Sequence, residues 1–406
     1  MQRPDIPSLT GLRFAAAALV LWAHTVTGFF MPAQVPVLGT TPASGFLGMT
    51  LFFVLSGFVI HYNYGSSLGT LNASAIYSFV VARFARLYPL FFLCVVITMA
   101  VPRDPSPALG ASWLSFLTMT HDWTPTIVFN GLLGDVFAPG SWSISAEVFL
   151  YIVYIALAPL LDRLLKSERV ILWALGTLVA LVSLFYLGRV IGWWLPTTEY
   201  TYLGLDYWLY HRSPFCRLSE FTLGALIAAL YNGRRTSAVT VRERTVSGIA
   251  AGVGVVWALA LLLSGAVPGL SNQALTLQLS WGFAPSVAAV IYYLARCKSP
   301  VSRLVENRAM IALGDASYSI YMLQWLTFST FMAQGVAANA LLVPKILLAW
   351  LMTALLSLGC YHYFERPARS FIRRLLAIER LRGLLPGKRA AVPLASDSPK
   401  PSNVRP

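Results

Sequence analysis

Charge is what this 406-residue sequence has least of: Asp, Glu, Lys and Arg together make up 11% of it, against roughly 25% in soluble domains. That scarcity excludes an ordinary soluble enzyme. Histidine is scarce as well, with five residues, and the four cysteines (Cys94, Cys216, Cys297 and Cys360) stand singly. Lacking CxxC or Cys/His spacing, they form no metal-site pattern and read as small buried hydrophobes, so no metal is predicted. The chain has no phosphate-binding glycine loop, no HExxH, no GxSxG and no dinucleotide fingerprint, which removes the enzyme classes those motifs announce.

What is abundant is apolar sequence, 57% of all residues, with a mean hydropathy of +0.66. At about 20 residues per span, candidate helices fall at 11–31, 44–64, 87–101, 141–161, 170–188, 213–232, 245–266, 273–295, 311–333 and 340–364. The fold class is therefore all-α, a polytopic transmembrane bundle of about ten helices. The formal charge of +14 points to membrane topology rather than to nucleic acid. With the N-terminus placed in the cytoplasm, 24 of the 30 Lys and Arg residues fall on the cytoplasmic side, five on the other, and Arg13 within a span. The positive-inside rule then puts both termini in the cytoplasm of a multi-pass protein whose first partner is the lipid bilayer. The first apolar run is too long for a signal-peptide core and is interrupted by Arg13, so it reads as an uncleaved helix. Residues 1–382 form the expected membrane domain, and 383–406, rich in Pro, Ser and Lys, an expected disordered cytoplasmic tail.

Polar groups inside apolar segments are costly and usually serve function. Arg13 and His24 lie eleven residues apart in the first helix, on one face and separated by roughly 16 Å of rise. An imidazole takes a proton from a hydroxyl near neutral pH, which makes His24 a candidate general base. Arg83 and Arg86, at i and i+3 before the third span, suit phosphate by their planar donor forks, with membrane anchoring as the competing reading. Glu147 lies six residues into SWSISAEVFLY (Ser141 to Tyr151), where desolvation requires a partner. Arg217 and Glu220 form an i,i+3 pair able to satisfy one another. His61, His121, His211 and His362 read as solvated or interfacial. The outward segments carry Trp113, His121, Asp122, Trp123, Asp135, Trp193, Trp194, Glu199 and Asp206, an interfacial belt or a surface on which a sugar stacks.

Five stretches together resemble the acyltransferase-3 family of integral membrane acyltransferases that acylate bacterial glycans: LTGLRF with His24 eleven residues after Arg13, LFFVLSGFVI (Leu51 to Ile60), RFARLYP (Arg83 to Pro89), SWSISAEVFLY, and LGDASYSIYMLQ (Leu313 to Gln324) followed by YFERPAR (Tyr363 to Arg369). The resemblance implies a bacterial cytoplasmic-membrane enzyme that takes an acyl group, acetyl by default, from cytoplasmic acyl-CoA and delivers it to a hydroxyl of a cell-surface or lipid-linked glycan. It implies His24 as the catalytic residue, Arg13 in the active-site path, and Arg83 with Arg86 as contacts for acyl-CoA. Glu147 matches the family's acidic position. Two positions depart from the pattern: Thr50 stands where an acid is common, and Gln324 replaces the usual histidine, keeping hydrogen bonding without titration.

The expected mechanism is O-acylation, in which Arg83 and Arg86 hold the donor, Arg13 guides the thioester inward, and His24 serves as general base or as acyl carrier. A transporter or flippase for a lipid-linked sugar is the alternative, since it too would place charges within a helical bundle.

Overall fold

The computed structural model describes residues 3–30, 43–99, 113–125, 127–128, 131–132, 140–191, 207–264, 271–279, 281–332 and 341–381. Among the expected features, Asp135, Trp193, Trp194, Glu199, Asp206 and the tail 383–406 lie outside the described residues. The chain is a helical bundle. Apart from a two-residue antiparallel pairing of Ile127–Val128 with Gly131–Leu132, the regular elements among the described residues are helices.

Chain order runs α1 (Pro7–Thr25), α2 (Ala43–Leu68), α3 (Ala73–Met99), α4 (Trp142–Leu164), α5 (Glu168–Val190), α6 (Pro214–Arg234) and α7 (Val241–Ser264). There follow α8 (Ser271–Gln278), α9 (Ala284–Arg296), α10 (Pro300–Val305), α11 (Arg308–Asp315), α12 (Ser317–Met332), α13 (Leu342–Cys360) and α14 (Arg366–Leu381). Starts follow capping rules: the Ser167 hydroxyl accepts from Val170 N–H ahead of α5, Ser213 precedes Pro214 at α6, and Ser299 with Ser302 forms a capping box at α10.

Seven helical stretches are long and apolar enough to cross a membrane among the described residues; the other three of the ten expected spans are helical but fall short of that length or apolarity. Three differences explain the count. The region 273–295 is interrupted between α8 and α9 by a single tight turn at Trp281–Phe283, with Pro285 opening the next helix. The region 311–333 is split at Ala316 into α11 and α12. The segment 213–232 does form α6, but Arg217 and Glu220 keep its hydropathy low. A further correction concerns α3, which begins at Ala73 rather than Leu87, so Arg83 and Arg86 lie inside a membrane-crossing helix and not ahead of it.

Helix α2 is the centre of the bundle. One face joins a core with α3, α4 and α12 through Phe53, Leu90, Leu150 and Tyr318, and the other a core with α1, α6 and α9 through Val54, Leu12, Leu223 and Ile291. Its closest crossing, with α6, depends on two glycines: a Cβ on Gly57 would stand 1.9 Å from the Phe221 carbonyl oxygen, and one on Gly224 2.0 Å from that of Val54. The start of α1 is gripped in the same way, because a Cβ on Gly11 would meet the Val305 carbonyl oxygen at 1.8 Å and one on Gly314 that of Thr10 at 2.0 Å. These contacts fix the height of Arg13, two residues beyond Gly11. Ionic groups gather at one end: Arg3 donates to Asn232 at 2.6 Å, Arg234 pairs with Glu168, and Arg296 pairs with Glu243 at 2.9 Å.

Candidate active site

Arg13 of α1, Ser56 of α2, Arg83 and Arg86 of α3, Glu147 and Tyr151 of α4, and Tyr318 and Tyr321 of α12 line one cavity of about 70 Å³. Four of the five candidate site residues, on three separate helices, thus face a common space. It holds three guanidinium groups and one carboxylate within an otherwise apolar wall that includes Met49, Phe52, Phe53 and Ile144.

Glu147 is held from two directions. Its Oε1 accepts a hydrogen bond from Ser56 Oγ at 2.9 Å and a short one from the Tyr151 hydroxyl, one helical turn further along α4. Arg83 is enclosed differently. Its guanidinium lies over the rings of Tyr64, Tyr151 and Phe79, at 5.1, 5.8 and 6.0 Å from their centroids, and donates to the Tyr64 hydroxyl at 3.1 Å. Arg13 and Arg86, by contrast, make no hydrogen bond or ion pair among the described residues. Around the rim, Tyr318 donates to the Leu87 carbonyl and Tyr321 to that of Gly140, each at 2.7 Å. Gly140 takes φ +86°, a conformation suited to glycine, and a Cβ there would lie 3.3 Å from the Tyr321 hydroxyl.

His24 does not line the cavity. It is the penultimate residue of α1 and is exposed, roughly 16 Å beyond Arg13 by helical rise. Gly45, on the neighbouring α2, packs against Ala23, and Met49 of the cavity wall lies one turn from Gly45, or about 6 Å. The upper rim therefore approaches the level of His24 without including it.

A second polar cluster occupies the neighbourhood of Thr50. Arg217 Nη1 reaches both oxygens of Glu220 at 2.9 Å, and all these side chains are buried. Thr50 Oγ1 donates to Glu220 at 2.8 Å, and Arg217 Nη2 lies 2.7 Å from His211 Nδ1. The Thr50 departure thus supplies a donor to a carboxylate already committed to arginine. Gln324 is buried and donates to the Tyr321 carbonyl of its own helix at 2.9 Å.

Three histidines differ from the solvated reading. His61 is buried against the Tyr154 hydroxyl at 2.9 Å, and His211 packs on Phe46 and Trp142. His121 stacks on Phe116, with centroids 4.2 Å apart, and contacts Ser141 Oγ at 3.0 Å. Burial and then the charge of Arg212 push its imidazole down to about 3. Asp122 pairs with Arg212 at 3.2 Å, and both are buried. Among the described residues no group of three His, Cys, Asp or Glu side chains is arranged to hold a metal ion.

Ser56, Tyr64 and Tyr151 were not singled out from sequence, because neutral hydroxyls in apolar helices resemble core. The i,i+4 spacing of Glu147 and Tyr151 was the available signal.

The bundle from α1 to just past α13 can be compared with known proteins. Residues 6–362 match the acyltransferase domain family. The chain belongs to that family. It is 26% identical over 340 residues to acyltransferase MdmB of Streptomyces mycarofaciens, covering 79% of this chain and 78% of that protein. It is 31% identical over 195 residues to protein 2 in the picA locus of Rhizobium radiobacter, covering 43% and 92%. O-acetyltransferase OatA of Staphylococcus aureus is 23% identical over 390 residues, 90% of this chain and 57% of that protein. No solved structure matches. The family resemblance carried by the five motifs therefore holds, and the chain is an O-acyltransferase with a multi-pass helical domain.

Proposed function

We propose that this enzyme moves an acyl group, acetyl by default, from acyl-CoA on the cytoplasmic side to a hydroxyl of a cell-surface or lipid-linked glycan beyond the membrane. The observation that carries the reading is the cavity: three guanidinium groups face one carboxylate inside the bundle, and two of the three have no hydrogen-bonding partner there among the described residues. Arg13 and Arg86 are half-buried, and a partly desolvated cation without a partner is costly, so the cavity is matched to an anionic guest. A CoA thioester supplies phosphates for the arginines and an acyl end for the apolar wall.

Arg13, Arg83 and Arg86 form the donor-side wall, and Glu147 is the carboxylate that faces them there. His24, about one to two turns above the rim, stands on the acceptor side, where its imidazole takes the proton of the incoming glycan hydroxyl. The positive-inside distribution of Lys and Arg sets the direction, with both termini cytoplasmic in a bacterial inner membrane. The acyl group ends as an ester on the glycan, and the CoA thiol leaves carrying the proton released by the acceptor.

The test supplies membranes containing the full chain with labelled acetyl-CoA and follows label into base-labile esters on surface glycan. Transfer in the wild type that is lost in His24→Ala supports this reading, and equal labelling in the two removes His24 from the mechanism. The absence of labelling with any acyl-CoA contradicts the donor assignment.

A further inference from the structure

The two arginines of the RFAR stretch are one helical turn apart, yet the structure gives them different surroundings. Arg86 opens onto the cavity beside Arg13 with no hydrogen bond or ion pair among the described residues. Arg83 is stacked among Tyr64, Tyr151 and Phe79, with its Nη2 committed to the Tyr64 hydroxyl. With Nη2 committed to the Tyr64 hydroxyl, three rings around the guanidinium and Nε buried, Arg83 presents fewer open donors to a phosphate than Arg86, whose whole fork is uncommitted among the described residues.

Tyr151 joins the two halves of this network. Its ring faces the Arg83 guanidinium, and its hydroxyl donates to Glu147 Oε1, the oxygen that also accepts from Ser56. A cation over an aromatic face is attracted by the ring's quadrupole and holds it in place, and a chain of polarised groups in a low-dielectric interior strengthens each hydrogen bond in it. The series Tyr64, Arg83, Tyr151, Glu147 and Ser56 thereby ties α2, α3 and α4 together at the carboxylate.

We infer that Arg83 and Arg86 have separate duties: Arg86, with Arg13, binds the anionic part of the donor, whereas Arg83 is a positioning residue that sets the Glu147 carboxylate through Tyr151. This rests on the acyl-transfer reading above. No bond is made or broken at Arg83, whose role is geometric and electrostatic.

The experiment compares Arg83→Ala, Arg83→Lys, Arg86→Ala and Tyr151→Phe in the full chain reconstituted in nanodiscs. It measures KM and kcat for labelled acetyl-CoA, the pH profile of kcat, and equilibrium binding of acetyl-CoA, with the thermal transition as the folding control. Arg86→Ala is expected to raise KM and weaken binding by about tenfold or more, the scale of one lost charge-assisted hydrogen bond, with a smaller effect on kcat. Arg83→Ala is expected to leave donor binding within about twofold while lowering kcat by about tenfold and moving its pH profile, as Tyr151→Phe also does. Arg83→Lys, which keeps the charge without the planar stack, restores part of kcat. If Arg83→Ala instead weakens donor binding as much as Arg86→Ala does, or if Tyr151→Phe turns over like wild type with an unmoved profile, the division of labour is wrong while the acyltransferase reading stands. A wild-type protein that neither binds nor turns over acetyl-CoA overturns that reading, and this inference with it.

Discussion

Ser56 of α2 and Glu147 of α4 are joined by a 2.9 Å hydrogen bond across the cavity wall, and Tyr151 completes the grip on the same carboxylate oxygen. A carboxylate held in this way is fixed in direction by its neighbours. The consequence is kinetic. Glu147→Gln is expected to lower acyl transfer by about tenfold or more, the scale of a lost charge-assisted contact, and Ser56→Ala by roughly five- to tenfold, the effect of one buried hydrogen bond. Initial rates of label transfer check both.

Gly57 and Gly224 set the α2–α6 crossing, since a Cβ at either position would run into a backbone carbonyl oxygen at 1.9 or 2.0 Å. Backbone cannot yield as a flexible side chain does. Gly57→Ala and Gly224→Ala are each expected to destabilise by about 1 to 3 kcal/mol, in the range of overpacked cores. Gly176→Ala on α5, where nothing lies within 4 Å, is expected to be neutral or slightly stabilising on helix propensity. Thermal transitions of the three purified variants distinguish these outcomes.

Arg217 and Glu220 are fully buried and pair at 2.9 Å. Arg217→Ala would leave a carboxylate buried with Thr50 as its remaining hydrogen-bonding partner, and is expected to cost about 3 to 5 kcal/mol. Replacing both residues by Met or Leu is expected to cost less than the single change, because the uncompensated charge disappears. Folded yield and melting temperature in detergent measure the difference.

His121 gives stability an acid limit. Its folded-state value of about 3 lies below the roughly 6.5 of an unfolded histidine, so the unfolded chain binds more protons over that interval. Stability is full above about pH 6.5 and falls as pH decreases toward 3, with a loss of about 2 kcal/mol from this group by pH 5. His211, also pushed well below its ordinary value by burial and by Arg217, acts in the same direction. His121→Phe keeps a ring in the stack and is expected to flatten the decline in melting temperature between pH 7 and pH 5. An unchanged slope assigns the acid sensitivity elsewhere.

Much of the cavity was legible before the structure, because an ionisable residue inside an apolar run has few reasons to be there. Arg13, Arg83, Arg86 and Glu147 announced themselves in this way, and the structure faces all four onto one space. His24 announced itself equally and lies outside that space, since spacing along α1 fixes its height and face but not which neighbours cover them. Span boundaries failed where charge and apolarity conflict. Arg83 and Arg86 made α3 read as starting at Leu87, whereas the helix begins at Ala73, with Arg83 enclosed by aromatic rings and Arg86 facing the cavity. Tyr64 and Tyr151 went unnoticed because their contacts with Arg83 come from other helices, which periodicity within one helix does not reveal.

The most direct test of the account is equilibrium binding of acetyl-CoA to the purified full chain in nanodiscs, comparing wild type with Arg13→Ala and Arg86→Ala at matched folding. The cavity reading predicts saturable binding to wild type, weakened by about tenfold or more in each variant, as expected when a charge-assisted contact is removed. Binding that is unchanged in both variants would contradict it and place the donor site elsewhere on the molecule.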